Sequence, residues 1–200
     1  MLFKSFSEKI NTTLGRLSPA RRIFLSFALV IFAGSLLLSL PFVQATSSQA
    51  TYFDHLFTAV SMVCVTGLFT QPVATTYNIW GQLICMFLIQ IGGLGLMTFI
   101  GVFYIQSKQK LSLRSRETIL ESFSYGETHS LMVFIRSIFL TTFIVEGLGA
   151  FLLSFRFVPE FGWGRGIFTS IFVAISAFCN AGFDNFGSTS LVAFQTDPLI

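Results

Sequence analysis

The chain has 200 residues, of which 53% are hydrophobic, 26 are Phe and only 10% are charged. A soluble domain of this length cannot bury so much apolar surface, which argues against an ordinary globular enzyme and for a membrane protein. The formal net charge of +3 is accounted for by basic residues gathered on one side of the apolar stretches, so no nucleic-acid partner is needed to explain it.

In chain order, residues 1–22 form a polar segment carrying Lys4, Lys9, Arg16, Arg21 and Arg22. Residues 23–43 are uncharged and long enough to cross a hydrocarbon core of about 30 Å. A basic start followed by Val43-Gln44-Ala45 also fits a cleaved secretory signal, but the apolar stretch is longer than a usual signal core. A short apolar segment follows, with pore helix and loop over 52–70, and then a second uncharged stretch, 79–106, able to span with tilt. A polar loop, 107–130, carries Lys108, Lys110, Arg114 and Arg116. The third span, 131–155, contains Arg136 and Glu146 but is otherwise apolar, and a second short segment and loop occupy 166–185. Ten of the twelve basic residues lie on one side of these spans, and only Arg156 and Arg165 on the other. The positive-inside rule makes the crowded side, with the N-terminus, cytoplasmic. The predicted fold is an all-α integral membrane protein of the cytoplasmic membrane, passing through it several times in contact with lipid.

The two short segments are copies. Phe57–Leu68 reads FTAVSMVCVTGL and Phe172–Phe183 reads FVAISAFCNAGF, so that Phe, Ala, Ser, Cys and Gly coincide at an offset of 115 positions. The same offset, without a gap, superimposes Gly34, Leu37, Leu38, Ser39 and Phe42 on Gly149, Leu152, Leu153, Ser154 and Phe157. One offset over two separate regions marks an internal repeat of outer span, short segment and inner span. The second copy of the inner span is expected to start at 191–200, where the chain ends, so the sequence reads as the N-terminal half of a longer protein.

Each short segment has about 12 helical residues, ~18 Å or about half a bilayer. Flanked by spans of opposite sense, the first has to enter and leave on the outer side as a re-entrant loop, tolerated where protein or water surrounds it. A helix ending at mid-membrane directs its unpaired carbonyls and negative dipole end toward the axis, which favours a cation. Val65, Thr66, Gly67 and Leu68, with Asn180, Ala181, Gly182 and Phe183, are the candidate ion-filter residues, their carbonyl oxygens replacing the water shell of an alkali ion. Gly67 and Gly182 supply the backbone freedom to turn a carbonyl inward.

The stretches FTAVSMVCVTGL, LIQIGGLGLMTF and ISAFCNAGFDNFG resemble the Trk/Ktr/HKT superfamily of potassium transporters, most closely the bacterial Ktr membrane subunit. The resemblance implies a potassium-channel-like pore of four outer helix–pore helix–inner helix units, of which this chain holds one and most of a second. It implies transported K+, with Na+ as a second cargo, and no other cofactor. It also implies a homodimer of full-length subunits bound to a cytoplasmic nucleotide-binding regulatory subunit. The 107–130 loop is either a contact for that subunit or a solvated loop at the lipid head groups. Rival readings are a cation-coupled transporter with alternating access and a non-conducting fragment. The first and third spans run in the same sense, which favours a channel-like pore over inverted repeats.

Glu146 is the acid inside a span. It is either an intramembrane charge that attracts ions or gates, or the partner of a polar group on a neighbouring helix. Gly92, Gly93 and Gly95 are expected to let the inner span approach the pore helix closely. Asp54 and Asp184 are read as caps or local hydrogen-bond acceptors, with cation attraction at the mouth as the alternative. Cys64, Cys85 and Cys179 are expected as free buried thiols, and His55 and His129 as interfacial residues. No nucleophile–base pair, metal cluster or phosphate loop is present, so no enzymatic activity is expected.

Overall fold

The computed structural model describes residues 19–95, 128–197 and 200. The expected N-terminal segment up to residue 18, the end of the second span beyond 95 and loop residues 107–127 lie outside the described residues. The chain divides into two compact units, Met1–Leu29 with Leu96–Ser137, and Val30–Gly95 with Ile138–Ile200. The described part of the first consists of helical residues 19–29 and 128–137. The second holds the loops of both repeats.

The described elements are helical: α1 (Pro19–Leu38), a 3-10 turn (Pro41–Val43), α2 (Tyr52–Val63), a single turn α3 (Val73–Thr76), α4 (Ile79–Leu94), α5 (Thr128–Phe161), α6 (Trp163–Phe178) and a 3-10 turn (Ser190–Phe194). Gln44 and Tyr77 form an isolated antiparallel bridge. Among the described residues, Arg136–Phe161 within α5 is long and apolar enough to cross a membrane by length and composition. Its outward side chains include Leu140, Phe143, Leu148, Phe151 and Phe155, an apolar surface that suits hydrocarbon rather than water.

The start of α4 is fixed by Asn78. Its Oδ1 accepts from the Trp80 and Gly81 backbone N–H groups at 2.9 and 3.2 Å, and its Nδ2 donates to the Phe42 carbonyl at 2.6 Å. One side chain therefore satisfies two of the orphan donors of α4 and ties it to the turn after α1. Helix α4 then runs between the other elements, packing on α2 and on α6.

Several expected boundaries shift. Helix α1 ends at Leu38 rather than 43, because Pro41 starts the 3-10 turn and removes a helical donor. Helix α4 closes at Leu94, with Gly95 at φ +78°. Helix α5 is longer than the expected span and turns into α6 through Gly162, φ +80°, so α6 starts at Trp163 rather than 166. At Gly166 an added Cβ would lie 2.6 Å from the Val158 Cα, which shows how tightly the α5–α6 corner is folded. Where an inner helix was expected from 191, the chain forms the 3-10 turn Ser190–Phe194. Phe194 packs there with Phe157, Phe161 and Phe186, ring centroids 5.1–6.4 Å apart. Arg156 caps this cluster, 4.9 Å over the Phe194 ring, while bonding to Asp197 at 2.6 Å and Glu160 at 2.7 Å.

Candidate functional site

Helices α2 and α6 each end in a cysteine with ordinary right-handed dihedrals, Cys64 and Cys179. The chain then alternates. Val65 has φ +55° and Gly67 φ +74°; in the second loop Asn180 has φ +55° and Gly182 φ +69°. Alternating the sign of φ turns successive N–H groups to one side of the strand and successive carbonyls to the other.

The N–H side faces the parent helix in both copies. In the first loop the Thr66 N–H donates to the Ser61 carbonyl at 2.9 Å, and the Leu68 N–H donates to the Ser61 hydroxyl at 2.9 Å. In the second the Ala181 N–H donates to the Ser176 carbonyl at 2.8 Å, and the Phe183 N–H to the Ser176 hydroxyl at 2.8 Å. One serine per repeat thus anchors its loop twice, and one of the helix's C-terminal carbonyls, that of the serine itself, is satisfied in the same step. Among the described residues, the carbonyls of Val65–Leu68 and Asn180–Phe183 accept no backbone hydrogen bond. They form an acceptor-rich strip, the chemistry that an alkali cation requires of its ligands.

The two loops meet at their glycines. An added Cβ on Gly67 would stand 2.8 Å from the Ala181 carbonyl oxygen and 3.5 Å from the Gly182 Cα. The rings of Phe69 and Phe183 lie 6.4 Å apart just beyond. All eight residues singled out from the sequence are therefore brought to two adjoining strands.

Helix α4 supports both loops from behind through adjacent glycines. A Cβ on Gly92 would lie 2.5 Å from the Val63 carbonyl oxygen, at the end of α2, and one on Gly93 would lie 2.4 Å from the Cys179 Sγ, at the end of α6. The close approach expected of Gly92 and Gly93 is present, with one glycine for each pore helix, whereas a Cβ on Gly95 would meet nothing within 4 Å.

Glu146 is buried on α5, where its Oε1 accepts from the Gln90 Nε2 at 2.8 Å. Gln90 in turn accepts, through Oε1, from the Cys179 thiol at 3.8 Å. The sequence placed Gln90 only within the LIQIGGLGLMTF motif and gave its side chain no role, although it carried a signal: an amide midway along an apolar span, matched to one acid in another span.

The aspartates serve local structure. Asp54 accepts from the Thr51 N–H and hydroxyl, both at 2.7 Å, and from the Thr70 hydroxyl at 2.7 Å. These bonds, with the Thr51 hydroxyl first among them, hold its pKa down at about 2. Asp184 accepts from the Phe186 N–H at 2.9 Å and from the Ser190 hydroxyl. Two expectations change. His55 is not interfacial but buried, its Nδ1 2.9 Å from the Tyr77 hydroxyl. Cys64 is exposed while Cys85 and Cys179 are buried, and all three are free. Among the described residues, none covers Cys64 as α4 covers Cys179.

A family model described as a cation transport protein, TrkH, matches residues 21–200. The chain is similar to the potassium/sodium uptake protein NtpJ of Enterococcus hirae, 42% identical over 91% of this chain and 40% of that protein. It is similar to the Ktr system potassium uptake protein B of Bacillus subtilis, 36% identical over 92% of this chain and 41% of that one. The protein of the same description from Vibrio alginolyticus is 38% identical over 90% of this chain and 39% of its own length. The chain thus spans about two fifths of the length of the curated relatives it matches.

Proposed function

The chain belongs to the TrkH family of cation transport proteins, and from that premise we propose that the protein takes up potassium, with sodium as a second cargo, across the cell membrane. The relatives' names are those of potassium and sodium uptake proteins, transporters rather than enzymes. The observation that carries the reading is the matched pair of loops: the same dihedral alternation and the same double serine tie, 115 positions apart, with their glycines in contact.

In this reading a cation sheds water at the outer mouth and exchanges it for the carbonyl oxygens of Val65–Leu68 and Asn180–Phe183. It then moves inward down its electrochemical gradient. Fixed carbonyls hold an ion without a formal charge, so binding is weak enough for release. Each loop has one glycine where a potassium-channel filter has two, which supports looser selectivity. Two loops form two walls of the ring, and we assign the remaining walls to further repeats of a full-length protein. Partners follow the same proposal: a second membrane subunit, and a cytoplasmic nucleotide-binding regulatory subunit meeting the 107–130 loop, with the N-terminus inside.

The test is complementation. Expressed at full length in cells lacking potassium uptake, the protein is expected to restore growth on low potassium, and Gly67→Ala to abolish that growth. Unimpaired growth with Gly67→Ala would refute the filter assignment.

A further inference from the structure

A carboxyl group in the middle of an apolar helix is costly to place and calls for a partner. Glu146 has one, and the partner has a direction. A carboxyl oxygen accepts, so the Gln90 amide presents its NH2 group to Glu146, as the 2.8 Å Nε2–Oε1 contact shows. That choice turns the Gln90 carbonyl oxygen to the opposite side, where the Cys179 thiol donates to it at 3.8 Å. Each bond polarises the next, so the chain Cys179–Gln90–Glu146 runs in one sense and ends on the acid. All three side chains are buried.

Cys179 occupies a decisive place. It is the last right-handed residue of α6, directly before Asn180 at φ +55°, where the second loop departs. Gly93, one helical turn beyond Gln90, closes the other side of the thiol, since a Cβ there would be 2.4 Å from Sγ. The sulfur is held between a glycine and an amide on one face of α4.

We propose that Glu146 is a positioning residue for the second loop: it fixes the Gln90 amide, which holds the Cys179 turn from which the loop departs. The proposal rests on the filter reading for its functional consequence, K+ over Na+ preference, but its geometric content stands apart from transport. Helix α5, which contacts neither loop in this chain of bonds, gains a means of setting the second loop's geometry.

The test is site-resolved alkylation of the full-length protein in membranes with N-ethylmaleimide, read by mass spectrometry at Cys64, Cys85 and Cys179. Cys64 is exposed and reports reagent access; Cys85 is fully buried and reports unfolding. Glu146→Leu and Gln90→Leu are each expected to raise Cys179 labelling about fivefold, the equivalent of losing one net hydrogen bond. Cys64 and Cys85 keep their rates, and the double variant is no worse than either single one, because the bonds act in series. Glu146→Gln retains an acceptor oxygen and is expected to stay within about twofold of the parent. The K+/Na+ uptake ratio is expected to fall in the two leucine variants alone. Unchanged Cys179 labelling in both would overturn the proposal, and so would labelling in Glu146→Gln raised as far as in the leucine variants, which would make the effect one of charge. Should the leucine variants also expose Cys85, Gln90→Met, closer in shape to the parent, carries the same expectation. A parent protein that moves neither ion would sink the transport reading, while the labelling pattern would still decide this one.

Discussion

Val65–Leu68 and Asn180–Phe183 share one backbone path and one serine tie, yet Leu68 is 61% exposed while its counterpart Phe183 is 3% exposed. The same contrast separates exposed Cys64 from buried Cys179, and exposed Thr66 from buried Ala181. Their exits differ too. Thr70, after the first loop, bonds back to Asp54 on its own pore helix. Asn185, at the corresponding place in the second repeat, bonds to Gln82 on α4 at 3.2 Å. Local geometry is therefore encoded within each repeat, whereas burial depends on the neighbour each loop meets. The first loop is self-tied; the second is held by the preceding repeat's inner helix.

The sharpest way to break this contrast is through α4, which treats the two loops differently at adjacent positions. Gly92→Ala drives a Cβ into the Val63 and Met62 carbonyls, backbone atoms that cannot step aside. Gly93→Ala meets the Cys179 side chain. Overpacking of this kind costs about 1–3 kcal/mol and more where backbone must move, so Gly92→Ala is expected to be the more damaging. Thermal unfolding of the purified protein checks the order, and Gly93→Ala tolerated better in a Cys179→Ala background would identify the sulfur as the obstacle.

Next in size are the loop glycines. Both have positive φ, so alanine at either carries a backbone penalty of about 1–2 kcal/mol. Gly67 carries a second one, because its Cβ would sit 2.8 Å from the Ala181 carbonyl oxygen, while that of Gly182 finds an ordinary 3.5 Å contact. Gly67→Ala is thus expected to reduce potassium uptake more than Gly182→Ala. Equal losses would show that dihedral strain alone governs both.

Much of this contrast was legible in the sequence, for physical reasons that differ by residue. Gly67 and Gly182 stood out because a glycine in an apolar run asks for a backbone explanation, and the repeat poses that demand twice. Ser61 and Ser176 appeared only as matching letters, because their role depends on the chain folding back seven residues later to donate to a hydroxyl. Val65 gave no sign of its positive φ, a conformation that a β-branched residue disfavours and that only the serine-anchored turn imposes. His55 and Cys64 were misplaced because burial is a long-range property. Tyr77, 22 residues on, helps to bury His55, and among the described residues Cys64 meets no neighbour of the kind that covers Cys179. Pattern within a repeat can be read from one copy against another, but contacts between repeats cannot.

The serine ties offer a smaller perturbation. Ser176→Ala leaves the Phe183 N–H without its acceptor in a buried setting, at a cost of about 1–3 kcal/mol, whereas the Leu68 N–H freed by Ser61→Ala is only part-buried. Ser176→Ala is expected to depress the unfolding temperature more, with Thr at either site restoring most of the loss through its own hydroxyl. A reversed order would mean that the first loop is covered in the assembled protein as fully as the second.

The smallest effect is expected at Asp54, where the first loop ties itself to its own helix. The carboxylate accepts three hydrogen bonds, two from Thr51 and one from Thr70, which lower its pKa from 3.8 to about 2. A depressed pKa means that the ionised form is favoured by folding, so the contribution is fully present above 3.8 and lost as pH falls through about 2. Asp54 should therefore add no pH dependence to uptake or stability through the neutral and mildly acidic range. Asp54→Asn keeps one acceptor oxygen but loses the charge at the helix N-terminus, so a small stability loss is expected, independent of pH in that range and with cation affinity unchanged. If instead Asp54→Asn weakened cation uptake at low ionic strength and the defect vanished with added salt, the carboxylate would be acting on ions at the mouth. The self-tied exit of the first loop would then serve attraction as well as shape, a role that Thr169, the uncharged residue 115 positions after Asp54, cannot share.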